Sequence, residues 1–181
     1  MALESLNRRV EISNKEEIIK ISGEIKIEMN EKQEVFLNGV DVTKQIRSKE
    51  VSSIVSQISS IKEVRLNMVS LQRKMAEGKD VIMEGRDITT YVFPNADLKI
   101  YLDANLEVRA KRRYLENKEK GIDTSYEEVL ENIKLRDEND KHKEIGSLMV
   151  AKDAVIIDTS NLSIEEAVEK VEKLIIEKRG K

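Results

Sequence analysis

Apolar positions change their spacing several times along the chain, and each change marks an element. Residues 1–9 carry a weak helical pattern with no capping residue in front. Ser13 and Glu16 form a capping-box pair ahead of Ile18, Ile19 and Ile21, which predicts a helix ended by Gly23. Residues 25–29 alternate with period two and 34–37 form a second β-like run, so a hairpin is expected with 30–33 as its loop. Asn38-Gly39 marks a further turn. Ser48 then opens a helix with Val51, Ile54, Val55 and Ile58 on one face. Another starts near Glu63, places Val64, Met68, Leu71 and Met75 at helical spacing, and stops at Gly78. Its methionines read as core filler, or alternatively as an adaptable binding surface.

The second half changes character. Val81, Ile82 and Met83 suffice for a short buried strand, followed abruptly by Glu84, Gly85, Arg86 and Asp87. Residues 97–103 predict a strand, and Asn105 caps a helix that runs to about Lys120, before Gly121. Ser125 and Glu128 form a capping box for a helix burying Tyr126, Val129, Leu130 and Ile133. Residues 154–158 predict a last short strand, apolar up to Asp158. Ser163 and Glu166 open the last helix, where Ile164, Ala167, Val168, Val171, Leu174 and Ile175 predict a buried stripe. The order strand–helix–helix–strand–helix predicts an α/β fold, with the earlier β segment as a small antiparallel insert.

Composition narrows the function. The 32 basic and 35 acidic residues of the 181 leave a formal charge of −3, so no basic footprint favours nucleic acid or an anionic membrane. The absence of cysteine removes disulfide frameworks and thiolate metal sites, and the single histidine, His142, leaves little scope for imidazole chemistry. No apolar run reaches the roughly 18 residues of a membrane span, and the N-terminus does not read as a signal peptide. A cytoplasmic protein is expected.

Candidate chemistry gathers where 81–83 gives way to charge, because ligands of open α/β sheets bind at the rim where strands end. Gly85 can take positive φ and lets a ligand approach the backbone closely. Arg86 offers a planar fork suited to phosphate; Asp87 can hold that fork or accept from a base or sugar. An Arg–Asp pair closing a loop is the alternative. Arg109, Arg112 and Arg113 stand at i, i+3, i+4 and are expected to share a face, either as a phosphate clamp or as a stripe balanced by Glu107, Glu116 and Glu119. Arg136 and Asp140 have the spacing of a helical ion pair. The seven glycines, at 23, 39, 78, 85, 121, 146 and 180, include no pair spaced as in G-x-x-x-x-G-K-[ST].

The run EGRDITTYVFPNADLKIYLDA, at 84–104, resembles a segment of bacterial cytidylate kinases, which phosphorylate CMP and dCMP. FLNGVDVTKQIRSKEVSSIVSQIS (36–59), VRLNMVSLQRKMAEG (64–78), IKLRDENDK (133–141) and LSIEEAVEKV (162–171) follow the same family pattern in order. The resemblance covers essentially the whole chain. It implies a P-loop nucleoside monophosphate kinase-like parallel sheet flanked by helices, with a small inserted antiparallel NMP-binding subdomain. Residues 1–80 would form part of the CMP-binding region, and 81–181 the rest of the kinase core with a lid at about 105–145. It further implies that Ser56, Arg65, Arg86, Asp87, Arg136, Asp140 and Lys143 bind CMP, with Arg136 on the phosphate and Asp140 on the cytosine. Arg109, Arg112 and Arg113 would form the lid's phosphate clamp, and ATP and Mg²⁺ would serve as phosphoryl donor and cofactor.

The family also opens with a strand and a glycine-rich phosphate loop that have no counterpart in these residues. The chain is therefore expected to be N-terminally truncated, lacking the central strand between those matching 81–83 and 97–102. Either those two strands pair directly, or a separate polypeptide supplies the missing one. Departures from the family pattern are Glu84 for Asp, Thr89 for Gly, Lys143 for Arg and Ser147 for Pro. An enzyme whose record has lost its start, inactive alone, is one expectation. A non-catalytic remnant or partner-dependent CMP-binding fragment is the other.

Overall fold

The computed structural model describes residues 1–142 and 144–180 and divides the chain into two units, Met1–Ile82 and Met83–Lys181. The first unit contains α1 (Ala2–Asn7), α2 (Lys15–Glu24), the strands β1 (Ile27–Met29), β2 (Val35–Leu37) and β3 (Val40–Asp41), a 3₁₀ turn at Gln45–Arg47, α3 (Lys49–Ser59) and α4 (Lys62–Ala76). Helix α2 begins one residue later than the capping-box pattern suggests. Asn14 accepts the Glu17 N–H at 3.2 Å, while the Ser13 hydroxyl donates to Glu11. The helix also passes through Gly23 and ends at Glu24, followed by extended Ile25. Glycine permits a helix end but does not compel one.

The β segment forms an antiparallel sheet in the order β1-β2-β3, with Ile27 opposite Leu37 and Phe36 opposite Asp41. Its second turn is Asn38-Gly39, with φ of 51° and 82°, the left-handed pair that a two-residue hairpin requires. Ser48 caps α3 by accepting the Val51 N–H at 3.2 Å. Val51 and Ile58 are buried as expected, but Val55 is exposed. Two buried clusters make the core: Ile18, Val51, Ile58, Ile61 and Val64 in one; Ile21, Ile25, Leu37 and Val42 in the other. Met68 packs against both, as core filler.

The second unit contains a π-helical turn (Ile88–Val92), β4 (Ile100–Asp103), α5 (Leu106–Glu119), α6 (Tyr126–Lys141), β5 (Val155–Asp158) and α7 (Ile164–Arg179). Strands β4 and β5 are parallel, in register from Ile100–Val155 to Asp103–Asp158. Asn105 precedes α5 without a side-chain cap. Ser125 with Glu128 and Ser163 with Glu166 complete both capping boxes at the starts of α6 and α7. Helices α5 and α6 run antiparallel, with Tyr114 edge-on to Tyr126 near one end and Arg109 reaching Asp137 near the other.

Four expectations about buried surface and strand pairing fail here. Residues 81–83 form no strand, and Ile82 is 91% exposed. Direct pairing with the strand at 97–103 does not occur, since β4 bonds to β5 alone among the described residues. In β5 only Ile157 is buried, while Val155 and Ile156 are exposed. Helix α7 buries no residue: Ala167, Val171, Leu174 and Ile175 are half-buried, and Ile164 and Val168 are exposed. The reason is shared. Apolar runs of this kind are made for parallel sheets covered on both faces, and two strands offer too little sheet to cover them.

The strand starts are tied by an ion pair. Buried Lys99 places Nζ 2.8 and 2.7 Å from the two carboxylate oxygens of Asp153. This contact holds the Asp153 carboxyl below its ordinary value of 3.8. A depressed carboxyl contributes stability above its unfolded value and loses it as pH falls through the folded one. Asp153→Asn is therefore expected to destabilise the chain at about pH 7, with the difference closing below the ordinary carboxylate range. Urea unfolding of both proteins across that range checks it; a difference independent of pH would contradict it.

Candidate functional site

The Gly85-Arg86-Asp87 stretch leads into the π-helical turn. The Asp87 carbonyl accepts both the Tyr91 N–H at 2.8 Å and the Val92 N–H at 3.1 Å, and Ile88 O accepts from Phe93 N–H at 2.7 Å. Buried Ile88 and Val92 anchor the turn from within. Gly85 does not use the positive φ open to it. Its small size is what counts, because a Cβ there would lie 2.8 Å from Cγ1 of Ile88. Asp87 is buried, whereas Arg86 is exposed.

Arg86 turns to α6. Its Nε lies 3.1 Å from Oδ2 of Asp140, and the Nε of Arg136 lies 3.8 Å from the same oxygen. Asp140 is buried, its side chain 7% exposed, while the side chains of Arg86 and Arg136 are 41% and 62% exposed. One sheltered carboxylate thus faces two guanidiniums whose outer edges reach solvent. The pairing of Arg136 with Asp140 is therefore more than an isolated surface bridge; Arg86, fifty residues earlier, completes it. Two fixed cations with fork-shaped donors are the chemistry of phosphate or carboxylate recognition. Lys143, expected beside them, lies outside the described residues.

The three arginines of α5 stand on one face, as their spacing predicts, but they reach different partners. Arg109 Nη1 contacts Asp137 Oδ2 at 2.7 Å, and its Nε donates to the Ala104 carbonyl at 3.0 Å. Arg112 donates to the carbonyls of Thr159 at 2.6 Å and Leu162 at 3.1 Å. Arg113 pairs with Glu116 at 3.0 Å, whose carboxyl is held low by Lys120 first and Arg113 second. Long side chains from neighbouring positions reach different partners, so i, i+3, i+4 spacing does not by itself make a clamp.

Arg112 instead fastens the rim at the strand ends. There Thr159 donates through Oγ1 to Asp103 O at 2.9 Å, and Ser160 Oγ accepts the Asn105 N–H at 2.9 Å. The Ser160 side chain, then its backbone N–H, lower the Asp158 carboxyl. Sequence reasoning passed over Thr159 and Ser160; the signal was the run Asp-Thr-Ser-Asn directly after an apolar strand. In the first unit, Ser56 is exposed on α3, and half-buried Arg65 on α4 places Nη1 3.4 Å from Gln72 Oε1.

A family model described as cytidylate kinase matches residues 1–177. Among similar proteins is a cytidylate kinase of Caldicellulosiruptor bescii, 47% identical over 177 residues, covering 96% of this chain and 78% of that protein. The cytidylate kinase of Caldanaerobacter subterraneus subsp. tengcongensis is 43% identical over 175 residues, covering 97% and 78%. That of Bacillus anthracis is 42% identical over 175 residues, covering 95% and 78%.

The geometry at Arg112 makes a stability prediction. Arg112→Ala is expected to cost about 1 kcal/mol, and Arg112→Lys to recover only part, because the shorter lysine does not carry its nitrogen as far as Nη2, which bonds both carbonyls. Equilibrium urea unfolding measures both. Unchanged stability in Arg112→Ala would contradict the anchoring role.

Proposed function

The chain belongs to the cytidylate kinase family, and from that premise we propose that its second unit carries the acceptor side of phosphoryl transfer to CMP or dCMP. The observation that carries this reading is the buried Asp140 carboxylate facing both Arg86 and Arg136. Arg86 and Arg136 bind the acceptor phosphate through their outer donors, and Asp140 keeps the two cations oriented between binding events. Buried Asp87 faces the base or sugar. Ser56, Arg65 and Lys143 are assigned to the same nucleotide by family resemblance. Arg109 and Arg113 are assigned to the transferred phosphoryl group on the same ground. Arg112, committed to backbone carbonyls, is left out of that clamp.

ATP and Mg²⁺ are implied by the family, but the residues present do not fit the donor phosphates. No phosphate loop of the form G-x-x-x-x-G-K-[ST] occurs in the 181 residues, and no group of three His, Asp or Glu placed to hold a metal occurs among the described ones. We therefore assign the grip on ATP to polypeptide outside these residues, in the same or a separate chain. Exposed Leu102, Val155 and Ile156 support the view that further sheet joins β4 and β5. These 181 residues alone are read as binding the acceptor without transferring to it. No described helix is long and apolar enough to cross a membrane.

Calorimetric titration tests the reading. CMP is expected to bind the 181-residue chain saturably and ATP not to bind. Arg136→Ala is expected to weaken CMP about tenfold to a hundredfold, the range for losing a charge-assisted contact. No heat with CMP would overturn the acceptor assignment. ATP-dependent CDP formation by the purified chain would overturn the donor assignment.

A further inference from the structure

Helix α6 carries a second carboxylate, Asp137, three residues before Asp140, so the two project from one face of the helix. Oδ2 of Asp137 contacts Nη1 of Arg109 at 2.7 Å, and the Asp137 side chain is only 18% exposed. Arg109 is held from a second side as well. Its Nε donates at 3.0 Å to the carbonyl of Ala104, the residue directly after β4. The guanidinium is thereby fixed between α6 and the strand-end rim, where ligands of open α/β sheets bind. Its Nη2 donates no hydrogen bond among the described residues, and the side chain is 35% exposed.

Joining α5 to α6 does not require this pair. Sheltered ions lose hydration, and apolar residues of similar size hold two helices as well or better. What the pair adds is direction. Arg86, Arg109 and Arg136 all meet one face of α6, which sets two carboxylates against three guanidiniums. The excess charge is positive, and the donors left open belong to arginines, a chemistry suited to phosphate oxygens. Arg86 and Arg136 meet at Asp140, while Arg109 is anchored three residues away, about 4.5 Å along the helix axis. That offset is on the scale of one phosphate group beside another.

We propose that Asp137 is a positioning residue: it fixes Arg109 beside the Arg86–Asp140–Arg136 group, so that Arg109 meets the second phosphate of a nucleoside diphosphate. The proposal rests on the acceptor-binding reading above. Arg86 and Arg136 hold the phosphate next to the nucleoside, and Arg109 donates through its open edge to the phosphate beyond it. Asp137 touches no nucleotide itself. Without its carboxylate the Arg109 side chain keeps only the Ala104 contact and loses its fixed aim.

The test titrates CMP and CDP calorimetrically into the unsubstituted 181-residue chain, Asp137→Ala, Arg109→Ala and the double variant. The unsubstituted chain is expected to bind CDP about tenfold more tightly than CMP, the gain from one charge-assisted contact. Asp137→Ala is expected to lose that preference while its CMP affinity stays as it was. In the Arg109→Ala background the same substitution is expected to weaken CDP no further. If Asp137→Ala does not fold, Asp137→Asn, which keeps the size and one acceptor oxygen, is judged by the same ratio of affinities. Three results overturn the proposal and leave acceptor binding intact. One is an unsubstituted chain with no preference for CDP. Another is a preference that survives loss of the Asp137 carboxylate. The third is a parallel loss of both ligands in the Asp137 variants, which marks a purely structural role. Absence of CMP binding by the unsubstituted chain overturns the acceptor reading and this proposal together.

Discussion

The sheltered carboxylate of Asp140 is the constraint on which the second unit's chemistry depends. Arg86 leaves the chain just before the π-helical turn, and Arg136 projects from α6, yet both approach the same Asp140 oxygen. Two guanidiniums repel each other, and their proximity is stable only with a counter-charge between them. Burial of Asp140 strengthens that attraction by excluding water, while the exposed outer edges of both arginines keep their remaining donors available. The register of α6 therefore matters at a distance. Its capping box at Ser125 and Glu128 fixes the first turn, and Asp137 and Asp140 follow on the face that meets Arg109 and Arg86.

The two units solve the problem of burial differently. The first closes two apolar clusters around Ile18 and Ile21, bridged by Met68. The second offers a two-stranded parallel sheet, an amphipathic last helix with no buried residue, and exposed apolar side chains on β4, β5 and α7. Parallel strands are ordinarily covered on both faces, and an isolated pair has unpaired backbone along its outer edges. The same shortage explains why the apolar run at 81–83 remains without a ladder and why Ile82 is exposed. Local sequence specifies a strand only as a candidate; a neighbour makes it one.

Much of this was legible from residue pattern. The capping boxes at Ser125 and Ser163, the hairpin turn at Asn38-Gly39 and the helices after Ser48 follow from local chemistry that needs no distant partner. Arg86 and Asp140 stood out separately because of their motifs. Their contact was not legible, since fifty-four positions separate them and no local rule links them. The arginines of α5 show the complementary limit. Their spacing gives a shared face but not their partners: Arg112 is drawn to the carbonyls of Thr159 and Leu162, groups that sequence patterns do not display. Gly23 misled for a related reason: its neighbours had enough helical support to continue through it. The π spacing after Asp87 had no sequence signal at all.

A double-mutant cycle between Arg86 and Asp140, read out as CMP affinity, tests the central claim most directly. Arg86→Ala, Asp140→Ala and the combined variant would each be titrated with CMP. If the Asp140 carboxylate orients Arg86 for the nucleotide, the two losses overlap, and the coupling is about 1 kcal/mol or more. Additive losses would show that the two residues act independently and that the ion pair organises no site.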